Sequence, residues 1–257
     1  MLAMTTLGLL LLAAALTRLP APDFQATPVK SVAGKAPVTL RLVSSTANNI
    51  TDDDAWFEKN GLALDRIDEA PEGLPSRIED AKFLYAIRSG DRLLGIYGPD
   101  YGGGTIVAGP GFAFDFSDYR FAPRHVEGER EFVEQRVLWA EVKGDVLYVA
   151  HGHRTYAKSS HGMNAYVTAI DLRGGKALWH SAPLVANAGN FTFLDDGHLV
   201  TGYGFTAEPD FLYVLRAKDG AAVAKVPLKS GPSFLLLRGE RLYVRTYDRD
   251  YVFRVVN

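Results

Sequence analysis

The chain has 257 residues, 47% hydrophobic and 23% charged, with a formal net charge of −2 and no cysteine. That length suits one large all-β domain or two small ones. The charge balance removes the electrostatic drive toward nucleic acid or anionic lipid. The missing cysteine excludes disulfides, thiol nucleophiles, thiolate metal sites and a lipidated-cysteine anchor.

The chain opens on "MLAMTTLGLLLLAAALTRLPAP", with an apolar core at Leu7–Leu16 and then Pro20 and Pro22. An apolar run ending in small residues is the pattern of a secretory leader, here with a cleavage region near Ala13–Ala15 or a little later. No Lys or Arg precedes the core; the first cation is Arg18. Met1–Thr17 carries no charge, and ~17 residues is the shortest span of a bilayer, so an uncleaved anchor is the alternative. Residues 1–21 are read as leader or anchor, 22–35 as a tether and 36–257 as the folded domain. The expected location is periplasmic or secreted, with membrane contact only through an uncleaved first segment.

Beyond the tether, "PVTLRLVSS" (37–45) alternates as a strand does. "TDDDAW" (51–56) offers three consecutive acids without the spacing of a calcium loop. It reads as the N-cap of a short helix around Asp53–Asn60. "GEREFVEQ" (128–135) is a second short helical candidate.

The rest is strand-like and repetitive. "GDRLLGIYG", "GDVLYVAHG", "DGHLVTGYG" and "GERLYVRTY" align on Leu93, Leu147, Leu199 and Leu242, at intervals of 54, 52 and 43 residues. Each is a glycine-containing turn and an apolar strand, with further strands on both sides. Units of four antiparallel strands spanning ~40–45 residues are blades of a β-propeller. One blade cannot bury both faces, so blades stack around an axis. About four to five blades are expected, with 37–45 as the strand that closes the last one. Residues 36–81 have room for a degenerate fifth.

Glycine-rich 98–111 lacks the strand-to-helix setting of a phosphate cradle and reads as a hairpin loop. Asp115, Asp118, Glu129, Glu131, Glu134 and Glu141 supply carboxylates, but nothing in the sequence pairs them as glycosidase chemistry requires.

"HGHRTYAKSSHG" (151–162) holds three of the six histidines. His151 and His153 fall on one side of a strand, and His161 could return across a hairpin as a third zinc ligand. The repeat offers another account. His151 stands four residues after Leu147, where Tyr97 and Tyr203 stand after Leu93 and Leu199, and a glycine follows in each copy: Gly98, Gly152 and Gly204. A planar ring recurs there for structural reasons. The loop, with His151, His153, Arg154, Tyr156, Lys158 and His161, is then the candidate partner-binding segment, since function concentrates in long loops.

"AYVTAIDLRGGKALWHS" (165–181) carries the most specific pattern, with Ala169, Asp171, Gly175 and Trp179 in the order A-x-D, glycine turn, W. It resembles the repeat of the quinoprotein-like (pyrroloquinoline-quinone-type) β-propellers. The next unit keeps Asp219 and Gly220 but has Ala224 where the tryptophan would stand. The resemblance covers about residues 82–257 and implies the fold. It does not imply the redox chemistry, because the quinone enzymes of this type are far larger and use a cysteine pair. No cofactor is expected; zinc or calcium belongs only to the alternative reading.

The sequence therefore points to an exported, non-catalytic propeller that binds a protein in a bacterial envelope. The alternatives are a small metal-dependent enzyme or metal-binding propeller using His151, His153 and His161, and a glycan-binding propeller.

Overall fold

Apolar runs broken by glycine turns fold here as successive antiparallel sheets. The computed structural model describes residues 15–22, 38–48, 52–99, 103–121, 128–129, 133–153, 160–195, 197–205 and 208–256. In chain order the first elements are β1 (Leu16–Arg18), β2 (Thr39–Ala47), α1 (Asp53–Asn60), β3 (Arg66–Ile67) and β4 (Arg77–Ile78). Blade 1 follows as β5 (Ala81–Ser89), β6 (Arg92–Gly98), β7 (Ile106–Gly109) and β8 (Phe112–Asp115). Blade 2 is β9 (Arg136–Lys143), β10 (Val146–Gly152), β11 (Tyr166–Asp171) and β12 (Lys176–His180). Blade 3 is β13 (Thr192–Phe193), β14 (His198–Phe205), β15 (Glu208–Arg216) and β16 (Ala222–Pro227). Blade 4 is β17 (Pro232–Arg238), β18 (Arg241–Thr246) and β19 (Arg249–Val256), and its fourth strand is β2.

The expected closing strand thus does that work. β2 runs antiparallel to β19 from Thr39↔Val256 to Ala47↔Arg249. The chain then turns into α1, which begins and ends where expected. Asp52 caps it by accepting from the Ala55 N–H at 2.9 Å, and Gly61 ends it at φ +60°. Residues 52–80 build no fifth blade. α1 packs on blade 4, with Phe57 edge-on to Phe234 at 5.1 Å and the Arg245 guanidinium bonded to Asp53 and to the Asp52 carbonyl. β3 and β4 then pair with the free edge of β5.

Blades 1, 2 and 4 share one register. A two-residue turn led by a glycine at φ +61°, +61° and +58° (Gly90, Gly144, Gly239) joins the first two strands. After five matched pairs the inner strand skips one residue: Leu84, Leu138 and Ser233. The skipped residue leaves a peptide group outside the ladder. Two of these groups tie blades together. The Tyr85 hydroxyl of blade 1 donates to the Leu138 carbonyl at 3.1 Å, and the Gly189 N–H, just before blade 3, donates to the Ser233 carbonyl of blade 4 at 2.8 Å.

Blade 2 meets blade 3 through its patterned residues. Asp171 accepts from the Arg173 and Gly174 N–H groups, and Gly175 takes φ +64°. Trp179, on the strand after that turn, lays its ring against Gly220 and donates its indole N–H to the Ala217 carbonyl at 3.1 Å. Asp219 holds the Gly220 turn by accepting from the Ala221 N–H. One apolar core runs through blades 1 and 2 into 3, and a second joins blades 3 and 4.

Three expectations change. Residues 98–111 are not all loop, because Ile106–Gly109 is a fully buried strand. In 128–135, the described residues form turns rather than a helix, and Gln135 is wholly buried. The folded domain also reaches back before residue 22: β1 pairs parallel with β8, and Leu19 is 1% exposed in the main core. The tether, from 23 on, lies outside the described residues.

The glycines give a stability test. Gly144 has open space around it, so Gly144→Ala costs about 1 kcal/mol for its left-handed backbone. Gly220 has the same backbone strain and also the Trp179 ring where a Cβ would stand. Gly220→Ala is expected to cost clearly more, ~2–3 kcal/mol, in urea unfolding.

Candidate functional site

The second strands β6, β10 and β14 each carry a ring followed by a glycine at their end, or one residue before it in β14, and their ends share one face of the molecule. Each glycine is required by close approach. A Cβ at Gly98, Gly152 or Gly204 would collide with the Gly103 carbonyl, the Asn164 Oδ1 or the Asp210 Oδ1. The rings before them, Tyr97, His151 and Tyr203, are all buried. In blade 4 the same place is taken by buried Thr246, whose hydroxyl donates to the Arg249 carbonyl at 2.7 Å.

His151 is fully enclosed. Its Nδ1 lies 2.8 Å from Gln135 Oε1 and its Nε2 2.7 Å from Thr168 Oγ1. Phe116, Tyr119, Phe121 and Tyr166 surround its ring at centroid distances of 5.2–6.3 Å. Burial drives its pKa down to about 3, so the ring is neutral. His151 therefore neither touches a partner nor has a nitrogen left for a metal.

His153 follows the strand, and its backbone is clamped by Asn164, which accepts from the His153 N–H at 2.7 Å and donates to the His153 carbonyl. His161 is exposed, at φ +49°. The structure does not gather the three histidines. Among the described residues no three His, Asp or Glu side chains come together to hold a metal. Arg154, Tyr156 and Lys158 lie outside the described residues.

Beside His153 opens a pocket of about 410 Å³, walled by blades 1, 2 and 3. Its side chains include Arg66, Tyr85, Arg136, His153, Tyr203 and Phe205. The wall is preset by internal bonds. Arg66 lies 4.0 Å over the Tyr85 ring and pairs with Asp68 at 2.8 Å. Arg136 pairs with Glu134 at 2.5 Å, and the Tyr203 hydroxyl donates to Glu208. Burial pushes the Tyr85 phenol up to about 12, so it stays neutral and keeps donating to the blade 2 backbone. Asn187 locks the Gly204 backbone from both sides, at 2.8 and 3.0 Å. Gly103, from 98–111, and His153, from 151–162, both line it. No pattern in the sequence marks Arg66, Tyr85 and Arg136, which stand on β3, β5 and β9.

The carboxylates are divided among separate neighbours. Asp115 accepts from Ser117, Asp118 pairs with Arg120, Glu134 with Arg136, and Glu141 accepts from the Trp139 indole at 3.0 Å. Glu129 also has a partner, and Glu131 is outside the described residues. Burial lifts the Glu141 pKa to about 7, reinforced by the charge of Asp65.

No protein-family model matches the chain, and no curated protein matches it in sequence. Solved structures do match. The four successive antiparallel sheets make the fold that of a β-propeller. The chain is similar to the C-terminal WD40 domain of Sif2, with a TM-score of 0.40 and 13% identity over 65% of this chain and 43% of that one. The WD40 β-propeller domain of Doa1 gives 0.38 and 10%, over 63% and 46%. BamB from Moraxella catarrhalis gives 0.31 and 11%, over 66% and 71%. The chain thus spans under half the length of the two WD40 chains. These likenesses concern the fold alone; the blade count comes from the four sheets.

Two substitutions test this geometry. His151 is kept neutral in the fold, while the unfolded chain takes up its proton near pH 6.5. Between about pH 6.5 and 3 the unfolded state binds more protons, so His151 costs stability as pH falls through that window. His151→Asn is expected to be less stable at pH 7, but to lose about 2 kcal/mol less than the parent between pH 7 and 4.5 in urea titrations. Glu141 acts in the opposite sense, because its raised pKa favours the fold as pH drops from about 7. Glu141→Gln therefore steepens the acid loss. Tyr97 is wholly buried, and its hydroxyl has no hydrogen-bond partner among the described residues. Tyr97→Phe is expected to leave stability unchanged or raise it by about 1 kcal/mol.

Proposed function

We propose that this chain is an exported, non-catalytic β-propeller of the quinoprotein-like kind that holds protein partners on the face carrying the pocket. The observation that carries the proposal is the combination of that preset pocket with exposed rings on the same face. Phe205, at the end of β14 and in the pocket wall, is 47% exposed. Tyr247, directly after β18 and so equivalent to Gly98 and Gly152, is 63% exposed. Large exposed rings, one in the pocket wall and one farther along the same face, bury much area with few torsions to freeze, which suits the anchors of an interface. The charged groups of the wall are already held, so binding spends little on ordering them.

Two further features support the finer parts of the proposal. The docking of Trp179 on the Asp219–Gly220 turn gives a packing role to the residues that resemble the quinoprotein-like repeat. The uncharged apolar opening of the chain and the absence of cysteine support export to a bacterial envelope. Distribution of the carboxylates over separate neighbours supports a role without hydrolysis.

The test is capture from envelope extracts with the wild-type chain and with a Phe205→Ser, Tyr247→Ser variant. Both residues are largely exposed, so the variant is expected to keep its circular dichroism and melting temperature. Proteins retained by the wild type are expected to fall on the order of tenfold, the loss expected of anchor residues. Equal retention by a folded variant would overturn the assignment of this face.

A further inference from the structure

The first described strand lies directly after the Ala-rich stretch of the leader-like segment, whose residues 1–14 lie outside the described residues. Ala13-Ala14-Ala15 places small residues at the two positions a leader peptidase reads, one and three before its cut. Ala15 is exposed, and Leu16, the next residue, is already paired with Ala113 as the start of β1. From there the chain is held at every step. Thr17 pairs with Phe114 and Arg18 with Asp115, and the Leu19 N–H donates to the Asp115 carbonyl at 3.0 Å. The Arg18 guanidinium bonds Glu79 at 2.9 Å, and the Leu19 side chain is buried among core residues of blade 1.

We propose that the Ala15–Leu16 bond is a processing site, and that the new amino terminus it creates is the first residue of β1. This rests on the export proposed above. The step is a peptide hydrolysis by a membrane-bound leader peptidase: water adds a hydroxyl to the Ala15 carbonyl and a proton to the Leu16 nitrogen.

One constraint limits the position: a cut several residues later would remove Leu19, a buried core residue, and strip a strand from blade 1.

The experiment expresses the full chain with a carboxy-terminal tag in a bacterium with two membranes. Periplasmic, membrane and cytoplasmic fractions are separated, and intact mass and amino-terminal sequence are read in each. The expected result is a periplasmic or secreted chain beginning at Leu16. In the Ala13→Leu, Ala15→Leu variant, precursor is expected to exceed mature chain at least tenfold. An exported chain that begins at another residue overturns this site and leaves export standing. An intact wild-type precursor also overturns the site, and its recovery in the cytoplasm overturns export as well. As a second readout, chains beginning at Leu16 and at Pro20 are made directly without a leader. The shorter one is expected to melt at a lower temperature; equal melting would remove the structural reason for the position.

Discussion

The inner strands of blades 1, 2 and 4 each contain a residue that the hydrogen-bonded ladder passes over: Leu84, Leu138 and Ser233. A peptide group left out of a buried ladder must find a partner elsewhere. Leu138 and Ser233 find theirs on the preceding blade, in the Tyr85 hydroxyl and the Gly189 N–H. Blade contact is therefore directional as well as apolar. The skip also increases local twist. The residue paired just beyond it is Tyr97, His151 or Thr246, the position that turns each second strand into the loops of the functional face.

Polar chemistry is sorted into two layers around that position. Below, Gln135, His151 and Thr168 form a line of bonds inside an aromatic shell that includes Tyr119. A satisfied buried network of this kind fixes one arrangement of the surrounding strands, since each broken link strands a polar group away from water. Above, Arg66, Arg136 and Tyr203 are held by Asp68, Glu134 and Glu208. The lower layer gives the blades their orientation, and the upper layer presents a wall of fixed shape to whatever enters.

Much of the architecture was legible because it depends on local pattern. The alternation in 37–45 marked the closing strand, the Asp run marked the cap of α1, and the spacing of Leu147 and Leu242 marked strands that prove to share a register. Composition misled where glycine and apolar character coincide, so β7 was hidden inside a stretch that looked like loop. The repeat marked His151 as a recurring ring position beside Tyr97 and Tyr203, but its full enclosure was hidden because burial is a tertiary property. The partners that consume His151 are 16 and 17 residues away, and no spacing rule connects them. The pocket wall was invisible for the same reason: Arg66 precedes β5 and Arg136 opens β9, and only the stacking of blades brings them together. Leu19 was ambiguous in itself, since an apolar residue reads alike whether it faces a bilayer or a core.

The closing strand also sets the order of folding events. The contacts of β2 with β19 join residues about 200 positions apart; the Asn48 side chain bonds Asp250 across a separation of 202. Closing so long a loop is slow, and rates fall as contacts become more remote along the chain. On a ribosome, β2 emerges early and waits with both edges bare, Leu42 and Val43 among its residues, until 249–256 appear. Blade 4 is thus the last to form, and a chain delivered whole and unfolded across a membrane would meet both halves of it at once.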